Sequence, residues 1–458
     1  MTVLIPVEEE QVNTLAGSFS GTLLRPGDDG YEKARRIHNA LIDKHPGLIA
    51  RCLTTADVVD AVNLGREAGT EISVRGGGHN VAGRAVTEGG LMIDLSLMKG
   101  IHVDPKQRRI RAQGGVIWNE LNRAAACFGL ATTGGEVSTT GIAGLTLGGG
   151  VGWLMGKYGI AIDNLRSAEV VLASGEVVVA SNESEPDLFW AIRGGGGNFG
   201  VVTWFEYQGY SLETVLGGPV LYPLQDASAV FRNFLERAKE VPDDLTTAFV
   251  FIHAPDGSGA KLCGPAVCHA GDEHDRAEAD LRPLREFGTP AADMVDRLPY
   301  PVMNTLLDDA FPRGTLNYWK AAYVDELSDS TADVIVDAFE AAPTEMCMLI
   351  VELFHGAVTR VEPTATAFPH RERGFDIAIM PQWTDPADTD ACISWARDTF
   401  DALQPFMTER VYVNYLSHDE ENRVRQAYGP NYDRLVELKR RYDPNNLFRL
   451  NQNIKPSS

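Results

Sequence analysis

Basic residues are scarce in this chain: 41 Lys and Arg stand against 63 Asp and Glu, a formal net charge of −22. That balance excludes nucleic acid and an anionic membrane surface as partners, because both demand a basic footprint. Long apolar runs are missing as well. No stretch approaches the roughly 18 apolar residues of a membrane span. The opening MTVLIPVEEEQVNTLAG lacks a basic n-region, and its apolar run is too short for a secretory leader. The six cysteines, Cys52, Cys127, Cys263, Cys268, Cys347 and Cys392, are scattered. They suit buried thiols in a reducing cytoplasm, which is the expected location. Cys263, Cys268 and His269 have the wrong spacing for zinc, and no second ligand pair follows, so no metal is expected and a hairpin with buried thiols explains them. Nor do His355, His370 and His418 form a metal spacing, and no nucleophile elbow or Ser-His-Asp order occurs. Internal repeats and low-complexity segments are absent.

What remains is a chain of 458 residues, long enough for two or three domains. Residues 31–44 read as a helix. So do residues 54–69, which open with a Thr54 to Asp57 capping box, and residues 117–128. Strands are expected at 91–96, 167–173, 176–181 and 200–207, with Ser174-Gly175 as a hairpin turn. Past about residue 213 the texture changes. Helices at 226–240, 330–341 and 388–403 alternate with strands at 246–253, 316–323, 346–354 and 374–383, the pattern of an antiparallel sheet covered by helices on one face. The proline-rich loop 285–314 is placed to cover a site. A last strand at 411–416 and a helix at 431–441 precede a tail that docks back on the body.

Four glycine clusters dominate the first half: Arg75-Gly76-Gly77-Gly78-His79-Asn80, Gly134-Gly135, Gly141 to Gly152, and Gly194 to Gly200. Each alone is compatible with a tight turn. Four in one domain point to backbone N–H groups converging on an anion such as a pyrophosphate. A nicotinamide-type dinucleotide fingerprint fails here. Gly76 to Gly78 follow a strand and Asp94 ends another, yet Val81 occupies the third glycine position and no helix begins after the loop. No Gly-Lys-Ser/Thr follows any cluster, so a Walker loop is absent too.

VRGGGHNVAG at 74–83, STTGIAGLTLGGGVGWLMGKYG at 138–159, Asp163-Asn164 and DLFWAIRGGGGNFGVV at 187–202 resemble the FAD domain of the vanillyl-alcohol oxidase superfamily. TATAFPHR at 364–371, VNY at 413–415 and YDPNNLF at 442–448 are similar to its berberine-bridge-enzyme-like branch. The likeness runs from about Pro46 to the C-terminus. It implies that Arg75, Gly76, Gly77, Gly78 and Asn80 wrap the FAD pyrophosphate, with Gly83 closing that motif. It also implies that Gly135, Val137, Thr139, Thr140, Gly141, Gly144 and Gly152 pass along the other side, with Gly200 and Val202 near the adenine. His79 would match the histidine bonded to the flavin 8α methyl, a role that suits a neutral nucleophilic imidazole. A loop histidine that merely bonds a phosphate is the plainer alternative. Many members of the branch add a second bond through cysteine. That place falls on Val137, so the resemblance implies a single linkage and a smaller substrate.

For the reacting end, strand alternation puts Tyr412 and Asn414 on one face and Tyr415 on the other. Tyr412 is a candidate base or a half-buried strand tyrosine, and Asn414 a flavin contact. Glu352 interrupts the apolar MCMLIVELFHG. It is either a base with a raised pKa or a sheet-edge carboxylate in water. Tyr318 and Lys320 share a face, and Lys320 is placed to pair with Glu352, catalytically or as a structural bridge. The whole reads as an α+β flavoprotein. An FAD-binding domain spans 1–213, a substrate domain 214–405, and 406–458 returns to the first. The expected activity is oxidation of a small alcohol, amine or related C–H donor with dioxygen as acceptor. A flavin dehydrogenase and a non-catalytic flavin-binding partner remain the alternatives, and the sequence leaves a homo-oligomer open.

Overall fold

The computed structural model describes residues 9–456. The first eight residues, on which part of the leader reading rests, lie outside the described residues. Among those described, no helix is long and apolar enough to cross a membrane.

Strands Leu48–Arg51, Leu91–Asp94 and Ile72–Arg75 run parallel in one sheet, with Thr22–Leu24 antiparallel at its edge. The helix Thr55–Ala68 links the first of these to Ile72–Arg75. It starts where Thr54 Oγ1 accepts from Asp57 N and the Asp57 carboxylate accepts from Thr54 N, and it stops at Gly69 in the left-handed conformation. A five-stranded antiparallel sheet follows, in the order Ile101–Asp104, Arg109–Gln113, Val201–Gln208, Leu165–Val171, Val177–Ser181.

The third large sheet is antiparallel throughout and carries the long strands Thr214–Pro223, Lys261–His269, Leu245–His253, Met348–Phe354, Gly374–Met380 and Lys320–Val324 in that spatial order. The two-residue period of a strand sorts its side chains. Phe249, Phe251, Leu349, Val351, Ile377 and Ile379 pack against helices Ala227–Ala238, Asp329–Glu340 and Thr389–Leu403. Each such fully buried side chain stabilises by about 1.5–3 kcal/mol. Ala248, Val250, Met348, Ile350, Ala378 and Met380 point the other way, toward Val81, Val137 and Trp153 of the glycine-rich half. The candidate site lies on this second face. Cys263 and Cys268 fall on opposite faces of a hairpin strand, and no metal-binding group of His, Cys, Asp or Glu occurs among the described residues.

The C-terminal segment returns to the first half. Val411, Val413, Leu416, Leu435, Tyr442 and Ile454 share a core with Trp118, Phe189 and Phe205. Two expected elements differ. The helix over 31–44 stops at Arg35, because Asn39 leaves the helix to donate to Val81 O and Asn317 O, both at 2.9 Å. The strand over 411–416 is instead a short turn, Val413–Tyr415, closed by Tyr415 N donating to Tyr412 O at 3.0 Å.

Candidate active site

A long cleft runs between the glycine loops and the inner face of the third sheet. Its first wall is backbone. A Cβ on Gly77 would sit 2.5 Å from Gly141 Cα and N, so the two loops touch and only glycine fits at either position. Gly76, Gly78, Asn80, Gly135, Val137, Thr140, Gly144, Gly200 and Val202 line the cleft with them. Gly83, Thr139 and Gly152 do not. Gly83 turns at φ 69 against Ile42, and Gly152 packs on the Gly134 carbonyl.

Arg75 also departs from its expected role. Its guanidinium forks onto Asp94, with Nε to Oδ1 at 2.9 Å, and it further donates to the carbonyls of Ala34 and Arg36. It is buried and fully committed, so it braces the loop from behind and leaves the anion to the backbone. Asp94, held this way and by Ser96, is no ribose ligand either.

His79 lines the cleft and stacks on His38, ring centroids 4.0 Å apart. Burial lowers its pKa well below the usual imidazole value, helped by the neighbouring His38 and Arg313. The ring is therefore neutral near pH 7, and its Nε2 has no partner among the described residues. Asn451 Oδ1 and Gln452 Nε2, on two further residues of the cleft wall, also lack partners among the described residues. Buried polar atoms seldom stay unpaired without a ligand. These atoms and the glycine cradle fit FAD.

At the other end the cleft is lined by Glu136, Phe311, Trp319, Met380, Tyr412 and Tyr415. The Tyr412 oxygen accepts from Gly150 N at 3.0 Å and Asn414 Nδ2 at 2.8 Å, with Val151 N further off at 3.4 Å. Burial pushes its pKa up to about 12. Asn414 also donates to Leu145 O, and Asn80 donates to Asn414 O, which ties the two loops together. Because 413–415 is a turn, Tyr415 joins Tyr412 on the cleft, with centroids 5.0 Å apart.

Tyr415 donates to Glu352 Oε1 at 3.0 Å. Glu352 is 1 % exposed and stands one layer behind the wall, so it is not at a wet sheet edge. Its carboxyl and that of Glu136 are near enough to shift each other's titration. Burial raises both pKa values, that of Glu136 to about 7. Glu352 is pushed well above the carboxylate range, with the Glu136 and Asp376 charges adding to the effect. Sequence reasoning missed Glu136 and Tyr415. The single polar residue in Gly135-Glu136-Val137 was the available signal.

Tyr318 and Lys320 lie elsewhere. They project from the helix-covered face, opposite to Trp319 and Tyr323. Lys320 pairs with Glu420 at 3.1 Å, not with Glu352, and Tyr318 donates to Asp419 at 2.9 Å. Glu352 sits opposite Asp376 in the sheet, and Lys320 opposite Ile379, so the expected Lys320–Glu352 pair is out of register.

Comparison with known proteins agrees with this geometry. Residues 46–181 match the FAD binding domain family, and residues 411–455 the family described as berberine and berberine like. The (R)-6-hydroxynicotine oxidase of Paenarthrobacter nicotinovorans is 33% identical over 96% of this chain and 97% of its own length. The chain belongs to the berberine-bridge-enzyme-like family of FAD-linked oxidoreductases. An FAD-linked oxidoreductase of Dictyostelium discoideum is 30% identical over 97% of each chain. Among solved structures, 6-hydroxy-D-nicotine oxidase from Arthrobacter nicotinovorans superposes with a TM-score of 0.88 at 33% identity, covering 96% of this chain and 99% of that one. The BBE-like 1 protein of Physcomitrella patens gives 0.88 at 23% identity over 98% and 99%, a likeness of fold. This FAD-linked oxidoreductase is thus an enzyme of the vanillyl-alcohol oxidase fold, α+β as its sequence indicates.

Proposed function

We propose that this family member is an oxidase carrying FAD on a single covalent bond to His79, and that it oxidises a small alcohol, amine or related C–H donor. The observation that carries this reading is the neutral His79 imidazole on the cleft wall with an unpaired Nε2. Val137, which lines the same cleft, has no atom for a second bond. In this reading 1–213 and 406–458 hold FAD, and 214–405 supplies the substrate face. Bound FAD would supply the two-electron acceptor for a hydride from the substrate carbon, with dioxygen taking the electrons on to hydrogen peroxide.

The chain's own part is binding and proton handling. Gly76 to Asn80 and Thr140 to Gly144 would hold the cofactor with their backbones, and Asn414 would fix the loop against it. Tyr412, with an oxygen that accepts from its neighbours and a pKa near 12, positions the glycine turn and does not serve as the base. The proton leaving the substrate falls to Glu136 and Glu352, linked to each other and to the Tyr415 hydroxyl. Kinship to a protein named an oxidase supports dioxygen as acceptor.

Acid precipitation followed by a denaturing gel under ultraviolet light tests the tether. We expect a fluorescent band from the wild type and none from His79→Ala. All flavin in the supernatant of the wild type overturns the covalent reading. Peroxide release that lags far behind reduction of an artificial dye assigns a dehydrogenase instead.

A further inference from the structure

The reacting end of the cleft gathers three carboxyls that form no salt bridge with any described residue. Glu136 lines it, Glu352 stands directly behind, and Asp376 lies across the sheet from Glu352 with neither oxygen hydrogen-bonded. The titratable groups facing Glu136 and Glu352 are Tyr300, Tyr412, Tyr415, Cys268 and Asp376, none of which is a cation. Arg423 lowers the Asp376 pKa from a distance, but its guanidinium is paired with Glu420 at 2.7 Å. Arg84, on the cleft wall, is already held by Glu421 and the His418 carbonyl. A buried carboxyl without a cation is costly unless a ligand brings one.

The rest of that end matches such a ligand. Trp319 meets Phe311 and Tyr415 edge to face, at centroid distances of 5.8 and 6.1 Å. Aromatic faces beside a carboxyl are the chemistry that takes up an ammonium group. Ile350 and Met380 complete the wall with apolar surface. A sugar would need several hydrogen-bonding partners here, and the wall offers few. The loop over 285–314 clamps the segment that bears Glu136. Asp308 accepts from Ser138 N at 2.8 Å and from Ser138 Oγ at 2.6 Å, and Asn304 donates to Gly135 O. Glu136 is thereby fixed in place before any ligand arrives.

We infer that this end of the cleft selects a substrate with a cationic nitrogen, and that Glu136 is the residue that selects it. The inference rests on the cleft's being the substrate site proposed above and narrows its substrates to amines. Glu136 and Glu352 act as one acid that shares a proton. A cation drawn against Glu136 favours the ionised form, so binding releases protons and strengthens as pH rises through neutrality.

Calorimetric titration of the holoenzyme with benzyltrimethylammonium, a cation that cannot lose its charge, tests this against the neutral benzyl alcohol. We expect the cation to bind more tightly by tenfold or more, with affinity rising from pH 6 to pH 8, and Glu136→Gln to remove most of that advantage while retaining flavin and melting temperature. Equal affinities for the two ligands, or a cation affinity unchanged in Glu136→Gln, overturn the inference. Should Glu136→Gln not fold, the pH dependence in the wild type decides. A flat cation affinity across that range then counts against it. These readouts need no turnover and no tether, so failure of the oxidase reading, seen on the gel or in peroxide release, is told apart from failure of this one.

Discussion

Where the C-terminal tail docks beside the glycine loops, buried charge is complete. Lys439 Nζ, wholly buried, donates to Asp443 Oδ2 at 2.6 Å, to Asn198 O at 2.7 Å and to Phe448 O at 3.0 Å. Asp443 accepts in turn from Leu447 N and Phe448 N. Arg371 and Asp163 form a two-pronged ion pair, both contacts at 2.8 Å. At the reacting end Glu352 and Asp376 are as deeply buried, Glu136 is half-buried on the cleft wall, and none of the three forms a salt bridge with a described residue. Both regions bear the cost of desolvating charge, but only the first recovers it within the chain. A closed ion pair is scaffold, and acids left open on a cleft mark the place where something else is bound.

The comparison breaks hardest on the scaffold side. Asp443→Ala strands a buried ammonium and unties the tail, so we expect a loss of about 3–5 kcal/mol in denaturant unfolding. On the open side Glu352→Gln should leave stability and flavin content nearly intact. It should cut kcat by about 10²–10⁴-fold, the usual size of a lost proton-transfer group. Steady-state and anaerobic flavin-bleaching kinetics check this. If Asp443→Ala proved mild and Glu352→Gln unfolded the protein, the contrast drawn here would be reversed.

A pH series sharpens the same contrast. Burial raises the Asp376 pKa from 3.8 to about 7 in the folded chain. The native state thus keeps a proton that the unfolded state loses, and stability falls as pH rises from about 4 to about 7 and is constant above. Asp376→Asn removes that fall. The difference between variant and wild type should therefore move in the variant's favour by about 2–4 kcal/mol across this window, then level off. Unfolding free energies at pH 4, 5.5, 7 and 8.5 measure it. A difference independent of pH would mean that Asp376 is ionised throughout.

Much of the arrangement was legible in the chain, for identifiable reasons. The glycine clusters declare themselves because Gly77 and Gly141 touch through backbone, which no other residue permits. The capping box at Thr54 and the antiparallel sheet beyond residue 213 follow from local chemistry and from period. Arg75 misled because an arginine beside a phosphate loop and one forked onto an aspartate read alike, and its partner Asp94 is 19 residues away. Glu136 and Tyr415 escaped because their meaning is non-local. Only the return of the C-terminal turn brings Tyr415 to Glu352, 63 residues apart.

The smallest expected effect is also the most pointed test of the two sheet faces. NYWKAAY reads as alternation with Tyr318 and Lys320 on one side, and that much holds. Alternation alone does not say which side faces the cleft. Trp319 points there, and Tyr318 turns its hydroxyl to Asp419 and Arg397 on the helix-covered side. Tyr318→Phe should therefore leave kcat and KM within about twofold and cost less than about 1.5 kcal/mol, the worth of an ordinary hydrogen bond. Trp319→Phe, one residue on, removes an aromatic wall of the cleft and should raise KM for an aromatic amine by about tenfold. A Tyr318→Phe variant with a lowered kcat would place the reacting face on the wrong side of the sheet.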